Sequence, residues 1–136
     1  MALSATRYNP KTVWAVPEAF RSIYSHAAEV PGGSRLLFVS GQVGVATDGA
    51  LPDGFALQLE RAMDNVEAIL AAAGMSRAHI IKASYYLTCA ADLPALGEIR
   101  RRRWSSDAPE AVTVIVVAAL ARPEFLVEVE VVAATS

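Results

Sequence analysis

The sequence predicts an α+β fold in which two helices cover one face of a mixed six-stranded sheet. Three observations carry this: the order of patterned segments, a change of hydrophobic period at residue 55, and an apolar surplus that one helical layer leaves uncovered. The order is three strands, a helix, a strand, a helix and two strands. At 136 residues the chain is read as a single domain, 1–136, large enough to bury a core without metal or disulfide staples. It is 54% hydrophobic and 19% charged, more apolar than an average domain. Such a surplus is expected in a subunit interface, which obligate oligomers bury much like a core.

The elements follow from local pattern. VWAVP (13–17) lies just after Pro10 and ends in Pro17, which confines any strand there to an edge or a short piece. RSIYSHAAEV (21–30) alternates weakly and is read as a strand; PGGS (31–34) after it carries a Gly-Gly hairpin signal. RLLFVSGQVGV (35–45) is β-prone but interrupted by Ser40, Gly41 and Gln42. A glycine inside a strand marks a bulge or a close approach to the backbone. TDGALPDG (47–54) is a loop by composition.

From Phe55 to Ala73 the period becomes helical. Phe55, Leu59, Ala62, Met63, Val66, Ile69 and Leu70 share a face, with Gln58, Arg61, Asp64 and Glu67 on others. Gly74 is placed to cap the C-terminus. HIIKASYYLT (79–88) reads as a strand. Asp92 is placed to cap a second helix, LPALGEIRRRRW (93–104), which Gly97 weakens by ~1 kcal/mol relative to alanine. VTVIVVAAL (112–120) and FLVEVEVVAA (125–134) complete the sheet. Because VTVIVV is apolar on both alternating faces, the sheet face away from the helices needs another sheet or a partner chain.

Several classes are disfavoured. A net charge of −2 gives no global field for nucleic acid. No uninterrupted apolar run reaches the ~18 residues of a membrane span. MALSATRYNP (1–10) lacks the pattern of a signal peptide, and the single cysteine, Cys89, forms no internal disulfide, so a cytoplasmic chain is expected. Two histidines without zinc-type spacing predict no metal, and no cofactor is expected.

FVSGQVGV (38–45), QLERAMDN (58–65) followed by AILAAAG (68–74), and LARPEFLVEVEVVA (120–133) stand in an order and at a spacing that resemble the RidA/YjgF enamine and imine deaminases. The resemblance runs from about Tyr24 to Ala133. It implies a chorismate-mutase-like fold and a homotrimer whose inner sheets form a barrel, with small-molecule clefts at the three subunit boundaries. It also implies hydrolysis of reactive imine acids such as 2-aminoacrylate to keto acids and ammonia. The family's substrate carboxylate is held by an arginine opening the penultimate strand, and a guanidinium fork suits a carboxylate because two parallel N–H donors meet two oxygens. Here the corresponding stretch is EAVT (110–113). Aligned through ALARP the arginine position falls on Val112, and anchored on Pro109 it falls on Ala111; either way the cation is gone.

On the same resemblance, Glu128 corresponds to the glutamate that handles the hydrolytic water, and a carboxylate on an apolar strand suits proton shuttling. Tyr24, in Ile23-Tyr24-Ser25, matches the family's ligand-covering tyrosine. Ser40 and Gly41 match residues whose hydroxyl and backbone N–H face the cleft, and Val112 and Val114 line the place of the lost clamp. The alternatives are a solvent-facing strand carboxylate, an interface tyrosine and a simple bulge. Glu130 is read as structural, Thr113 and Ser84 as locally hydrogen-bonded, and Cys89 as a small buried residue. His26 has no partner visible in the sequence. Arg100 to Arg103 are read as a solvated helix end, with one of them, or Arg122, as a replacement cation offered to a neighbouring subunit. Two functions remain: an imine deaminase with a substrate range altered at Val112, and a non-catalytic homotrimer that binds a small metabolite. RNA binding through the arginine run is a third reading, opposed by the acidic net charge.

Overall fold

The structure is a computed structural model that describes residues 5–136, so the first four residues of the signal-peptide reading lie outside the described part. Strands β1 (Thr6–Tyr8) and β2 (Ala27–Glu29) form a small antiparallel ladder. The main sheet contains β3 (Arg35–Gln42), β4 (Ile80–Leu87), β5 (Ala111–Val116) and β6 (Val127–Thr135), in the order β3-β6-β4-β5. β4 and β5 run parallel, and β6 is antiparallel to both its neighbours. Helices α1 (Phe55–Ala72) and α2 (Leu93–Trp104) cover one face, giving the expected α+β layer on a mixed sheet.

The six strands therefore fall into ladders of two and four, joined by one parallel bridge between Ser25 and Ala111. The segment 21–30 is strand only at Ala27–Glu29, and VWAVP (13–17) is not a strand. Pro10 and Pro17 remove ladder donors there, and a 3-10 turn at Glu18–Phe20 takes the chain inward instead. Ile23 and Ser25 are buried as a result.

Helix α1 buries the face that its period predicts. Leu59, Ala62, Met63, Val66 and Leu70 have no exposed surface, and they pack with Val127, Val129, Val131, Ala83 and Tyr85 of the sheet. Each large side chain among them is worth roughly 1.5–3 kcal/mol of burial. Gly74 ends the helix at φ +73, a conformation that glycine adopts without a Cβ penalty. Gln58 departs from its expected outer face. It is buried, donating Nε2 to the carbonyls of Pro52 (3.3 Å) and Glu124 (3.1 Å) and accepting from Leu126 N–H (2.9 Å). Three hydrogen bonds satisfy an amide that would otherwise be costly to bury.

Helix α2 begins with Pro94 in its first turn, and Asp92 makes no side-chain cap. Its arginine run is not a solvated end. Arg100 is buried, donating Nη2 to Ile23 C=O at 2.6 Å, with its guanidinium 4.7 Å over the Tyr85 ring. Arg103 bridges to Glu60 (2.9 Å), Asp64 (2.8 Å) and Glu67 (2.8 Å) of α1, while Trp104 Nε1 also donates to Glu67. Leu96, Arg100, Arg103 and Trp104 share the inward stripe of α2 by 3.6-residue geometry. Arg101 and Arg102 remain exposed, and Arg102 pairs with Glu60. Cys89, expected to be buried, is exposed just past β4.

Candidate functional site

Side chains alternate across the sheet, so the strand partners sort the candidate residues by face. Val112 and Val114 pair with Ala83 and Tyr85 of β4, both core residues, and so face the helices. Glu128 pairs with Tyr86, and Glu130 with Ser84, on the opposite, open face. Phe38, paired with Val132, lies there too and is 73% exposed, with Leu36 and Ile115 about half exposed. The chain thus carries two groups of candidates on two faces of one sheet.

The first group surrounds an open-faced cavity between β5, α2 and the segment before β2. Tyr24, Val112, Val114, Phe20, Leu96 and Arg100 line about 330 Å³ with mostly apolar surface. A second pocket of about 190 Å³, lined by Trp14, Val16, Pro17, Phe20, Tyr24 and His26, shares Phe20 and Tyr24 with it. A third space of about 430 Å³ has Tyr24 on its wall together with Asn9, Lys11 and Arg21. Tyr24 therefore stands at the junction of all three. Its hydroxyl lies 3.1 Å from His26 Nδ1, the partner that the sequence did not show. Arg100 is the one cation on the 330 Å³ wall, but part of its fork is held by the Ile23 carbonyl and its plane by Tyr85.

The second group forms where β3 bends. The β3–β6 register slips between Val39 and Gln42, a bulge at Ser40-Gly41 as expected from the glycine. A Cβ on Gly41 would stand 2.5 Å from Glu128 Cδ and 2.7 Å from Oε2, so the Glu128 carboxyl lies directly against this glycine. Helix α1 holds both sides of the contact. Asn65 Nδ2 donates to the carbonyls of Val43 (3.1 Å) and Val45 (3.0 Å) just after the bulge, and Gln58 holds the turn leading into β6. Gly44 lies over the α1 backbone, where a Cβ would meet Gln58 O at 2.4 Å. Ser40 is exposed beside the bulge. Glu130 accepts from the Tyr86 hydroxyl at 3.0 Å, and this bond raises the Tyr86 pKa above the usual phenol range.

Thr113 accepts from Lys82 Nζ at 2.7 Å. Arg122 is exposed, 5.7 Å from the Phe125 ring and away from the three cavities around Tyr24. Glu110, missed in the sequence, is buried where β5 begins; desolvation pushes its pKa up, against the pull of Arg77, Arg100 and Arg7. Among the described residues no group of three His, Cys, Asp or Glu side chains is placed to hold a metal, and no helix is long and apolar enough to cross a membrane.

The sequence profile described as Endoribonuclease L-PSP matches residues 17–135. The chain belongs to the RidA/YjgF family. A "Protein DfrA" of Myxococcus xanthus is 34% identical over 73% of this chain and 76% of its own length. A "RutC family protein" of Aquifex aeolicus is 42% identical over 56% of this chain, a match spanning 59% of that relative. In structure, the Rid-family protein YyfB of Yersinia pestis, described as of unknown function, superposes with a TM-score of 0.83 at 28% identity, covering 98% of this chain and 100% of that one. In this chain β5 begins Ala111-Val112, and Glu128 lies against Gly41 at the β3 bulge.

Proposed function

We propose that this Rid-family chain hydrolyses imines or enamines that lack a carboxylate, in clefts shared between protomers of a homotrimer. The observation that carries the reading is the apolar wall around Val112, Val114 and Tyr24, together with a carboxyl kept against the Gly41 bulge. The placement of the two groups supports shared clefts. They lie on opposite faces of one sheet, so a second copy is needed to bring a Tyr24 wall to a Glu128 carboxyl. The exposed apolar open face, with Phe38, Leu36 and Ile115, is the surface such copies would bury.

In this reading Glu128 accepts a proton from water as the oxygen adds to the imine carbon. With the imine reacting in its protonated form, Glu128 passes that proton to the carbinolamine nitrogen, the C–N bond breaks as the hydroxyl proton moves to the Glu128 carboxylate, and carbonyl product leaves with ammonia, which carries the proton away. In the same reading the Gly41 N–H, at the bulge beside Glu128, supports the developing charge on oxygen. Val112 and Val114 favour an apolar substituent where family members hold a carboxylate. The test is keto or aldehyde release from carboxylate-free imines generated in situ, compared with 2-aminoacrylate. Loss of turnover in Glu128→Gln supports catalysis. A second reading, a non-catalytic trimer that binds a small apolar metabolite, is favoured by the scarcity of polar groups on the 330 Å³ wall. A ligand retained without turnover of any imine would select it.

A further inference from the structure

His26 is held at three points. Its backbone N–H donates to Asn9 Oδ1 at 2.8 Å, its Nε2 lies 2.6 Å from the Trp14 carbonyl oxygen, and its Nδ1 lies 3.1 Å from the Tyr24 hydroxyl. A carbonyl oxygen only accepts, so Nε2 carries the proton. In the neutral imidazole Nδ1 then bears the lone pair and can only accept, so the Tyr24 O–H donates to His26. The two rings meet edge to face at 5.2 Å, which keeps this geometry. With its proton turned toward His26, the Tyr24 oxygen is left to offer lone pairs. The adjoining 190 Å³ pocket has no Lys or Arg on its wall, and it is faced by Trp14, Phe20 and Tyr24. Aromatic faces attract cations, most strongly where water is excluded.

We propose that His26 is a positioning residue that makes Tyr24 a hydrogen-bond acceptor, so that the Trp14–Phe20–Tyr24 pocket selects ligands carrying a cationic N–H donor, a protonated imine or amine. The proposal rests on the reading of the Tyr24 cleft as the ligand site and adds the charge class of the ligand. It reverses the polarity of a carboxylate clamp. Where such a clamp presents a cation to an anion, the 190 Å³ pocket presents an acceptor and aromatic side chains to a cation.

The test needs no turnover. Benzylammonium and benzoate, similar in size and opposite in charge, are titrated against the intact protein at mildly alkaline pH and followed by tryptophan fluorescence. Benzylammonium is expected to bind at least about tenfold more tightly, equivalent to ~1.4 kcal/mol. Tyr24→Phe, which removes one oxygen, should erase most of that preference. His26→Leu should do the same, while His26→Asn, which keeps a polar group near the Nδ1 position, retains part of it. Nitrogen-15 spectra of labelled histidine should show the Nε2–H tautomer for His26, assigned by its loss in His26→Asn. Equal or tighter benzoate binding, no binding of either probe, an unchanged preference in Tyr24→Phe, or an Nδ1–H tautomer would each overturn the proposal. The binding readout involves no turnover, so a failure here is distinct from a failure of hydrolysis.

Discussion

Replacing Gly41 by alanine separates the role of Glu128 in chemistry from its role in the fold. The new Cβ would lie 2.5 Å from Glu128 Cδ, 2.7 Å from Oε2 and 2.8 Å from Cγ. Ordinary carbon contacts need roughly 3.5–4.0 Å, so the carboxyl must move by about 1 Å. Its atoms are the end of a flexible chain on an open face, so a rotamer change relieves the clash at roughly 0.5–1.5 kcal/mol. A displacement of about 1 Å in a catalytic group costs on the order of 10²-fold in rate. Gly41→Ala should therefore keep nearly wild-type stability and lose most imine hydrolysis. Gly44→Ala is the paired control. Its Cβ would meet Gln58 O at 2.4 Å and Cα at 2.7 Å, backbone atoms that no rotamer can clear. Overpacking of that kind costs typically ~1–3 kcal/mol, so Gly44→Ala should lower the urea midpoint. Urea unfolding and turnover are measured on both variants. Full activity in Gly41→Ala, with the fold intact, would refute the placement of Glu128 as the group that handles water.

Other expectations follow from the same geometry. Val112→Arg should shift the kcat/KM ratio at least about tenfold toward 2-aminoacrylate and away from carboxylate-free imines, since a guanidinium fork suits a carboxylate; an unchanged ratio would show that the cavity is not the substrate site. Arg103→Met leaves Glu60, Asp64 and Glu67 facing one another and should cost about 1–3 kcal/mol in urea unfolding, with the loss shrinking in high salt. The Glu110 pKa is raised in the fold, so its contribution to stability is fully present below the ordinary glutamate value of 4.5 and is lost as pH rises through the folded value. Glu110→Gln should therefore flatten the decline of stability with rising pH above that point; a parallel pair of pH profiles would contradict the assignment.

Most of the fold was legible because its long elements obey one period each. The helical stripe from Phe55 to Leu70, Gly74 at positive φ, and the strands β4 and β6 stand within a residue or two of their expected bounds. The β3 bulge was legible from Gly41 alone. The N-terminal ladder was not, because β1 and β2 are three residues long and held by a single bridge to the main sheet rather than by pattern. The arginine run was misread because a charge cluster suggests solvent. Yet Leu96, Arg100 and Trp104 are spaced four apart, and Glu60, Asp64 and Glu67 form the matching acidic stripe on α1, so the signal was present. Gln58 is polar in a helical pattern, which points it outward, whereas its three hydrogen-bond partners lie in loops that no local pattern reveals. Of the site, Glu128 against Gly41 and the cavity shared by Tyr24, Val112 and Val114 emerged as contacts. The division of those residues between two faces required the strand register, and the His26 partner of Tyr24 required a contact between neighbours that one sequence does not display.

The most direct test is a competition in one vessel, with wild-type protein offered a carboxylate-free imine and 2-aminoacrylate together and both carbonyl products quantified. The proposed preference for carboxylate-free imines predicts that the carboxylate-free product dominates, and that both products vanish in Glu128→Gln. Preferential release of the keto acid, or product formation indifferent to Glu128, would contradict it.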